Sequence, residues 1–182
     1  MDTIKNIKYK LVNNFFTKDE LKLLNKYVTI IHRLNTHNFD FKQSINKDTG
    51  FYGDPLMESL LLTKFDLMEK ETNLKLHPTY SFWRMYTKFA DLKKHIDRPS
   101  CEISVTAMIG SDGTPWPIHI EDNKFELNAG DAVIYLGCEI PHWREEFLGD
   151  WHAQVFFHYV DANGPNKEFN RDKRILWGTE NK

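Results

Sequence analysis

Cysteine is scarce in this chain: Cys101 and Cys138 are the only two in 182 residues. Two thiols are too few for a disulfide framework, so the sequence points to a reducing compartment and to a fold held by its core. Long apolar runs are missing as well, and none approaches the roughly 20 residues that a bilayer-spanning helix needs. The opening stretch Met1 to Asn6 is polar and lacks the basic-then-apolar layout of a secretory leader. The expectation is therefore a cytoplasmic protein with no membrane partner. An excess of positive charge is also absent. The formal net charge is -2 and the Lys and Arg residues are scattered, whereas nucleic-acid binders carry a basic domain or stripe, so nucleic acid is not an expected partner. No internal repeat or low-complexity tract is present. What remains, 41% hydrophobic and 27% charged residues, is the make-up of an ordinary globular protein long enough for one domain with a substantial core.

Residues 4–12 alternate well enough for a short strand. Thr17 followed three residues later by Glu20 is a capping box, with Phe16 placed as a hydrophobic staple against Leu21. Leu21, Leu24, Tyr27, Val28 and Ile31 then share one apolar face, which predicts a helix from Thr17 to about Arg33. The polar stretch from Asn35 to Pro55, with Asp48-Thr49-Gly50 and Gly53-Asp54-Pro55 as turn signals, reads as a long loop of the kind that serves as a lid or peptide clamp. Pro55 suits the first turn of a second helix, along which Leu56, Leu60, Leu61, Phe65 and Met68 repeat at helical spacing.

After Asn73 the texture turns aromatic and β-branched. Strand-like runs fall at Tyr80 to Tyr86, Cys101 to Ile109, Trp116 to Ile120, Lys124 to Leu127, Ala132 to Leu136 and Trp151 to Val160, with turn chemistry between them. Short, closely spaced strands after helices argue a mainly β fold with flanking α, a sandwich or barrel with the helices packed outside. The expected organisation is a single domain: a helical support region over residues 1–75, a strand-rich core over 76–161 and an extension over 162–182.

Chemistry concentrates first at His95-Ile-Asp97, an imidazole and a carboxylate two residues apart beside a strand-like run, where residues at that spacing share a face. One further His would complete a 2-His-1-carboxylate set, which leaves open positions on a metal and is diagnostic of non-haem Fe(II) oxygenases. His142, presented after a turn, a strand and a second turn, is the first candidate; His119, His152 and His158 are rivals on spacing alone. Cys101 and Cys138 read as buried inert thiols, and Trp116 and Trp143 as core or cleft aromatics.

Taken in order, His95-Ile-Asp97-Arg-Pro-Ser-Cys-Glu-Ile-Ser-Val-Thr, then Asn128-Ala-Gly-Asp-Ala-Val-Ile-Tyr, then Ile140-Pro-His142, resembles the Fe(II)/2-oxoglutarate-dependent dioxygenases, in particular their prolyl 4-hydroxylase-like branch. Asn14-Phe-Phe-Thr-Lys-Asp-Glu-Leu is similar to the opening common in that branch. The resemblance implies a double-stranded β-helix, or jelly roll, with His95, Asp97 and His142 as iron ligands. It also implies Fe(II), 2-oxoglutarate and dioxygen as cofactor and co-substrates, and hydroxylation of a peptidyl proline or of a small molecule such as a free amino acid. Tyr86, nine residues before His95, matches a tyrosine that contacts the cosubstrate. In one place the chain departs from the branch: Trp151 and His152 stand where an Arg or Lys pairs with the distal carboxylate of 2-oxoglutarate. His152, on one strand face with Gln154, is the expected replacement, with Arg84 and Arg144 as the cations that could reach in from elsewhere. The same departure fits a non-catalytic jelly-roll binding protein, and a cupin-like metalloenzyme that does without 2-oxoglutarate is a third reading.

Overall fold

The computed structural model describes residues 2–37, 44–45 and 48–179. Residues 4–12 do not form one strand. A single helical turn, α1 (Ile4–Ile7), is separated from strand β1 (Tyr9–Val12) by Lys8, whose φ of 68 interrupts any extended run. Helix α2 (Lys18–Thr36) starts where the capping box placed it: the Thr17 hydroxyl accepts from the Glu20 N–H at 3.2 Å, and the Glu20 carboxylate accepts from the Thr17 N–H at 2.7 Å.

The long loop expected between Asn35 and Pro55 is replaced in part by strands β2 (Ser44–Ile45) and β3 (Asp48–Tyr52). Residues 38–43 and 46–47, with the middle of the expected lid, lie outside the described residues. Asp48-Thr49-Gly50 is strand rather than turn because its buried polar side chains find partners elsewhere in the fold. The Asp48 carboxylate accepts from Arg84 at 2.6 Å and from the Thr87 N–H at 2.7 Å, and Thr49 is bonded to His32 and Asn35. The second predicted helix is two, α3 (Pro55–Thr63) and α4 (Phe65–Thr72). They break at Lys64, a buried residue whose ammonium pairs with Glu20 at 2.7 Å. Asp54 caps α3 by accepting from the N–H groups of Leu56 and Met57.

The rest is β4 (Leu76–Thr87), β5 (Leu92–His95), β6 (Ile103–Ser111), β7 (Ile118–Ile120), β8 (Asn123–Phe125), β9 (Ala132–Tyr135), β10 (His142–Arg144) and β11 (Trp151–Asp161). They form two antiparallel sheets, one in the order β1-β9-β6-β11-β4-β3-β2 and one in the order β5-β10-β7-β8, the mainly β jelly roll that the sequence predicts. The alternation of strand residues sorts the chemistry. Along β4, Trp83 and Met85 join the apolar core, whereas Tyr80, Phe82, Arg84 and Tyr86 line a chamber. Along β11, Val155 and Phe157 pack into the core while Phe156 and His158 face that chamber. Beyond Asp161 the chain folds back on β4 and β11 instead of extending away, and Asp172 and Arg174 are buried. No helix among the described residues is long and apolar enough to cross a membrane.

Candidate metal centre

Strand pairing brings the two histidines together. In the β5–β10 ladder His142 stands opposite His95, and their ring centroids are 4.3 Å apart. Asp97 does not share a strand face with His95, as the two-residue spacing suggested. The chain leaves β5 at His95, and the Asp97 N–H donates to the Gly137 carbonyl at 2.8 Å, which turns the carboxylate back toward the two rings. Asp97 Oδ1 lies 3.5 Å from His95 Nε2 and 3.6 Å from His142 Nε2. Ser104 donates to Asp97 Oδ2 at 3.1 Å.

The rings are oriented by their other nitrogens. His95 Nδ1 meets the Lys93 carbonyl at 2.7 Å and His142 Nδ1 meets the Ile140 carbonyl at 3.0 Å. A carbonyl only accepts, so Nδ1 carries a proton in both rings and each Nε2 is turned toward a carboxylate oxygen. Lone pairs and a carboxylate that converge in this way repel unless protons or a cation lie between them. The Asp97–His95 hydrogen bond raises the His95 pKa, partly offset by burial. Asp97 is the converse case: burial pushes its pKa up, but the hydrogen bonds from His142 and His95 hold it well below the usual carboxylate range. A divalent cation could take the place of those protons, and the donor set, two imidazoles and one carboxylate with ligand atoms within 4.8 Å of one another, fits one. His142 is 2% exposed while His95 is only half-buried, so the centre opens on the His95 side.

Of the rivals, His119 stacks on Trp143 at 4.9 Å, outside this cluster. His158 lies nearby, and its Nδ1 is 2.9 Å from the Ser104 hydroxyl. With Cys101 and Asp97 it forms a second group of donor atoms within 4.8 Å of one another, which shares Asp97 with the first. Burial pushes the Cys101 thiol up to about 12, so it stays protonated and packs against the Tyr80 hydroxyl at 3.1 Å.

Two cavities meet the residues singled out by sequence. The first, of about 370 Å³, holds His95, Asp97, His142 and Tyr86 behind an aromatic wall of Tyr52, Tyr80, Phe82 and Phe156. The second, of about 560 Å³, holds His152, Gln154, Met108, Trp116 and Arg144. Tyr86 is therefore with the metal set, and His152 and Gln154 are in the neighbouring space. The charge expected of His152 is not there: burial and the adjacent Arg144 guanidinium bring its pKa down to about 3, so the ring is neutral. Arg84 is engaged by Asp48. Arg144 is 2% exposed and stays cationic, its pKa lowered only to about 10 by burial. Arg144 is one of the two cations, with Arg84, that the sequence offers, and nothing in the sequence alone prefers it. The available signal was its position two residues after His142 on one strand. Tyr135, its ring tilted against that of His142 with centroids 4.8 Å apart, and Gly137 were missed altogether.

No protein-family model and no curated protein sequence matches the chain. Solved structures do. The chain superposes on a 2OG-Fe(II) oxygenase family oxidoreductase from Burkholderia pseudomallei with a TM-score of 0.63 at 14% identity, covering 92% of this chain and 89% of that one. A prolyl-4-hydroxylase from Pseudomonas putida gives 0.62 at 16% identity, over 85% and 92% of the two chains. EctD from S. alaskensis, solved with 2-oxoglutarate and 5-hydroxyectoine, gives 0.69 at 12% identity, over 85% and 72%. The chain has the fold of the 2-oxoglutarate–Fe(II) oxygenases. The structures that share this fold also include an epimerase and a carbocyclase, so the fold leaves the reaction and the substrate open.

Proposed function

We propose that this protein is an Fe(II)- and 2-oxoglutarate-dependent dioxygenase that hydroxylates an unactivated C–H bond, with peptidyl proline as its substrate. The observation that carries the reading is the pair of imidazoles fixed through Nδ1 so that both Nε2 atoms converge on the Asp97 carboxylate. His95, Asp97 and His142 would hold Fe(II). When bound, the iron supplies the oxygen chemistry, in which 2-oxoglutarate and dioxygen become succinate and carbon dioxide while one oxygen atom enters a substrate C–H bond. The chain's own residues do the rest. The Lys93 and Ile140 carbonyls orient the ligand rings, and Ser104 steadies the carboxylate. Tyr86 in the first cavity and His152 and Gln154 in the second are the groups we assign to the cosubstrate, the last two as neutral groups. The wall of Tyr52, Tyr80, Phe82 and Phe156 offers ring faces to a flat apolar group such as a pyrrolidine.

Prolyl hydroxylases from Pseudomonas putida and from a Chlorella virus are among the structures that share the fold, and we take a peptidyl proline as the substrate by likeness to them. EctD structures with 2-oxoglutarate and with Fe support the cofactors. The test is succinate release and a one-oxygen mass gain over a panel of proline-containing peptides and free amino acids. Both are expected with a peptide, only with Fe(II) and 2-oxoglutarate present, and neither in Asp97→Ala, which is also expected to lose tight Fe(II) binding. Hydroxylation of free amino acids alone would remove the peptidyl assignment. Turnover without 2-oxoglutarate, or metal binding with no turnover on any compound, would overturn the dioxygenase reading.

A further inference from the structure

A 2-oxoglutarate molecule that meets the metal through its keto-acid end carries a second carboxylate at the far end, and a carboxylate taken out of water needs a cation or several donors. Among the described arginines near the two cavities, Arg84 is paired with Asp48 at 2.6 Å and Arg98 with Asp172 at 2.7 Å. Arg144 is different. Its Nη1 donates to the Trp116 carbonyl and its guanidinium lies over the Trp116 ring at 4.8 Å, but Nε and Nη2 are buried with no hydrogen-bond partner among the described residues.

His152 adds a third donor. The Thr106 hydroxyl donates to Gln154 Oε1 at 3.3 Å, which turns the Gln154 amide nitrogen toward His152 Nε2 at 2.9 Å. Nε2 therefore accepts, and the proton of the neutral ring sits on Nδ1, which is buried and unpartnered. Trp116 touches both groups, its ring centroid 5.1 Å from that of His152. Three of the five buried side-chain polar atoms without partners among the described residues thus belong to two neighbours that line one cavity. A buried donor left unsatisfied is costly, and three at one place mark a site for an acceptor from outside.

Resting on the dioxygenase reading, we propose that Arg144 and His152 together form the receptor for the distal carboxylate of 2-oxoglutarate, so that the cation comes from the strand of a metal-binding histidine. Arg144 stands two residues from His142 on β10, roughly 7 Å along a strand, a span suited to a five-carbon diacid. The guanidinium offers Nε and Nη2, the edge that engages both oxygens of a carboxylate, and His152 Nδ1–H supplies a further bond. A guanidinium buried without a counter-ion costs stability, and a bound carboxylate would offset that cost.

The experiment is calorimetric titration of Mn(II)-loaded protein with 2-oxoglutarate and with 2-oxopentanoate, which has a methyl group in place of the distal carboxylate. Thermal melting of the ligand-free forms is measured in parallel. Wild type is expected to prefer the diacid. Arg144→Met is expected to lose about tenfold to a hundredfold in 2-oxoglutarate affinity with 2-oxopentanoate unchanged, and to melt no lower than wild type. Arg144→Gln, which keeps a donor for the Trp116 carbonyl, serves if the methionine variant does not fold, with the same loss expected. Arg144→Lys should recover part of the preference. Retained diacid preference in the Met and Gln variants would overturn the Arg144 assignment alone. Wild type that binds Mn(II) but neither keto acid would overturn the dioxygenase reading with it.

Discussion

Gly137 allows a close approach at the candidate metal centre that any larger residue would block. A Cβ there would sit 2.6 Å from Asp97 Oδ2 and 2.5 Å from the Cys101 carbonyl, and closer still to the Ser104 hydroxyl. The residue is needed for space, because the loop that follows β9 presses directly on the carboxylate and its carbonyl accepts the Asp97 N–H. Asp97 thus owes its place to a loop rather than to a strand. Gly137→Ala is expected to displace the carboxylate or Ser104 and to weaken Mn(II) binding about tenfold or more, the size typical of lost support around a metal ligand, with the circular dichroism spectrum unchanged. An unaltered Mn(II) titration would show that this contact does not position Asp97. The same residue marks where reading the sequence stops. His95, Asp97 and His142 could be picked out by order and resemblance, but a glycine gives no sign of what lies over it, and Arg144 shows its unpartnered donors only once the sheets are assembled.

At the scale of the element, β11 carries two inward histidines that burial keeps neutral. Burial brings the His158 pKa down to about 4, and burial with the Arg144 guanidinium brings that of His152 down to about 3, against about 6.5 for an exposed imidazole. Between those values the unfolded chain holds protons that the folded chain does not, so stability rises with pH across the window and falls as the solution is acidified from about 6.5 toward 4. His158 alone is worth on the order of 3 kcal/mol over that range. Urea denaturation of the metal-free protein at steps between pH 7 and pH 4 should show this decline, and His158→Gln should flatten it. A variant with the wild-type slope would mean that His158 is not held neutral. The strand itself was legible from its aromatic and β-branched run, as were β4, β6 and β9, and α2 from its capping box. Elements whose polar residues are satisfied only by distant partners were not. Asp48-Thr49-Gly50 has the composition of a turn but is a strand because Arg84, Thr87, His32 and Asn35 answer its side chains. β5 and β10, at four and three residues, are too short for periodicity to register, yet their pairing sets His95 against His142.

At the scale of the whole molecule, the residues beyond the last strand close the structure around the site. Asp172 accepts from both terminal nitrogens of Arg98, at 2.9 and 2.7 Å, and from the Tyr52 hydroxyl, so it joins the segment to two residues of the chamber wall. Arg98 directly follows Asp97, which ties this latch to the metal centre through the backbone. What holds the segment down is a buried ion pair. Arg174 donates to Glu58 of α3 and to the Thr79 carbonyl of β4, while Glu58 also accepts from the Gly178 N–H. Glu58 is 1% exposed, so removal of the guanidinium strands a carboxylate in the interior. Arg174→Met is therefore expected to cost about 3–5 kcal/mol. The double variant Glu58→Gln with Arg174→Met should recover most of that loss, since a neutral amide can still accept from Gly178 and no unpaired charge is left behind. Urea denaturation of the wild type, both single variants and the double variant provides the cycle. A loss below about 0.5 kcal/mol in Arg174→Met, the scale of an ordinary surface substitution, would show that the segment is not integral to the fold and that the wall of the chamber stands without it.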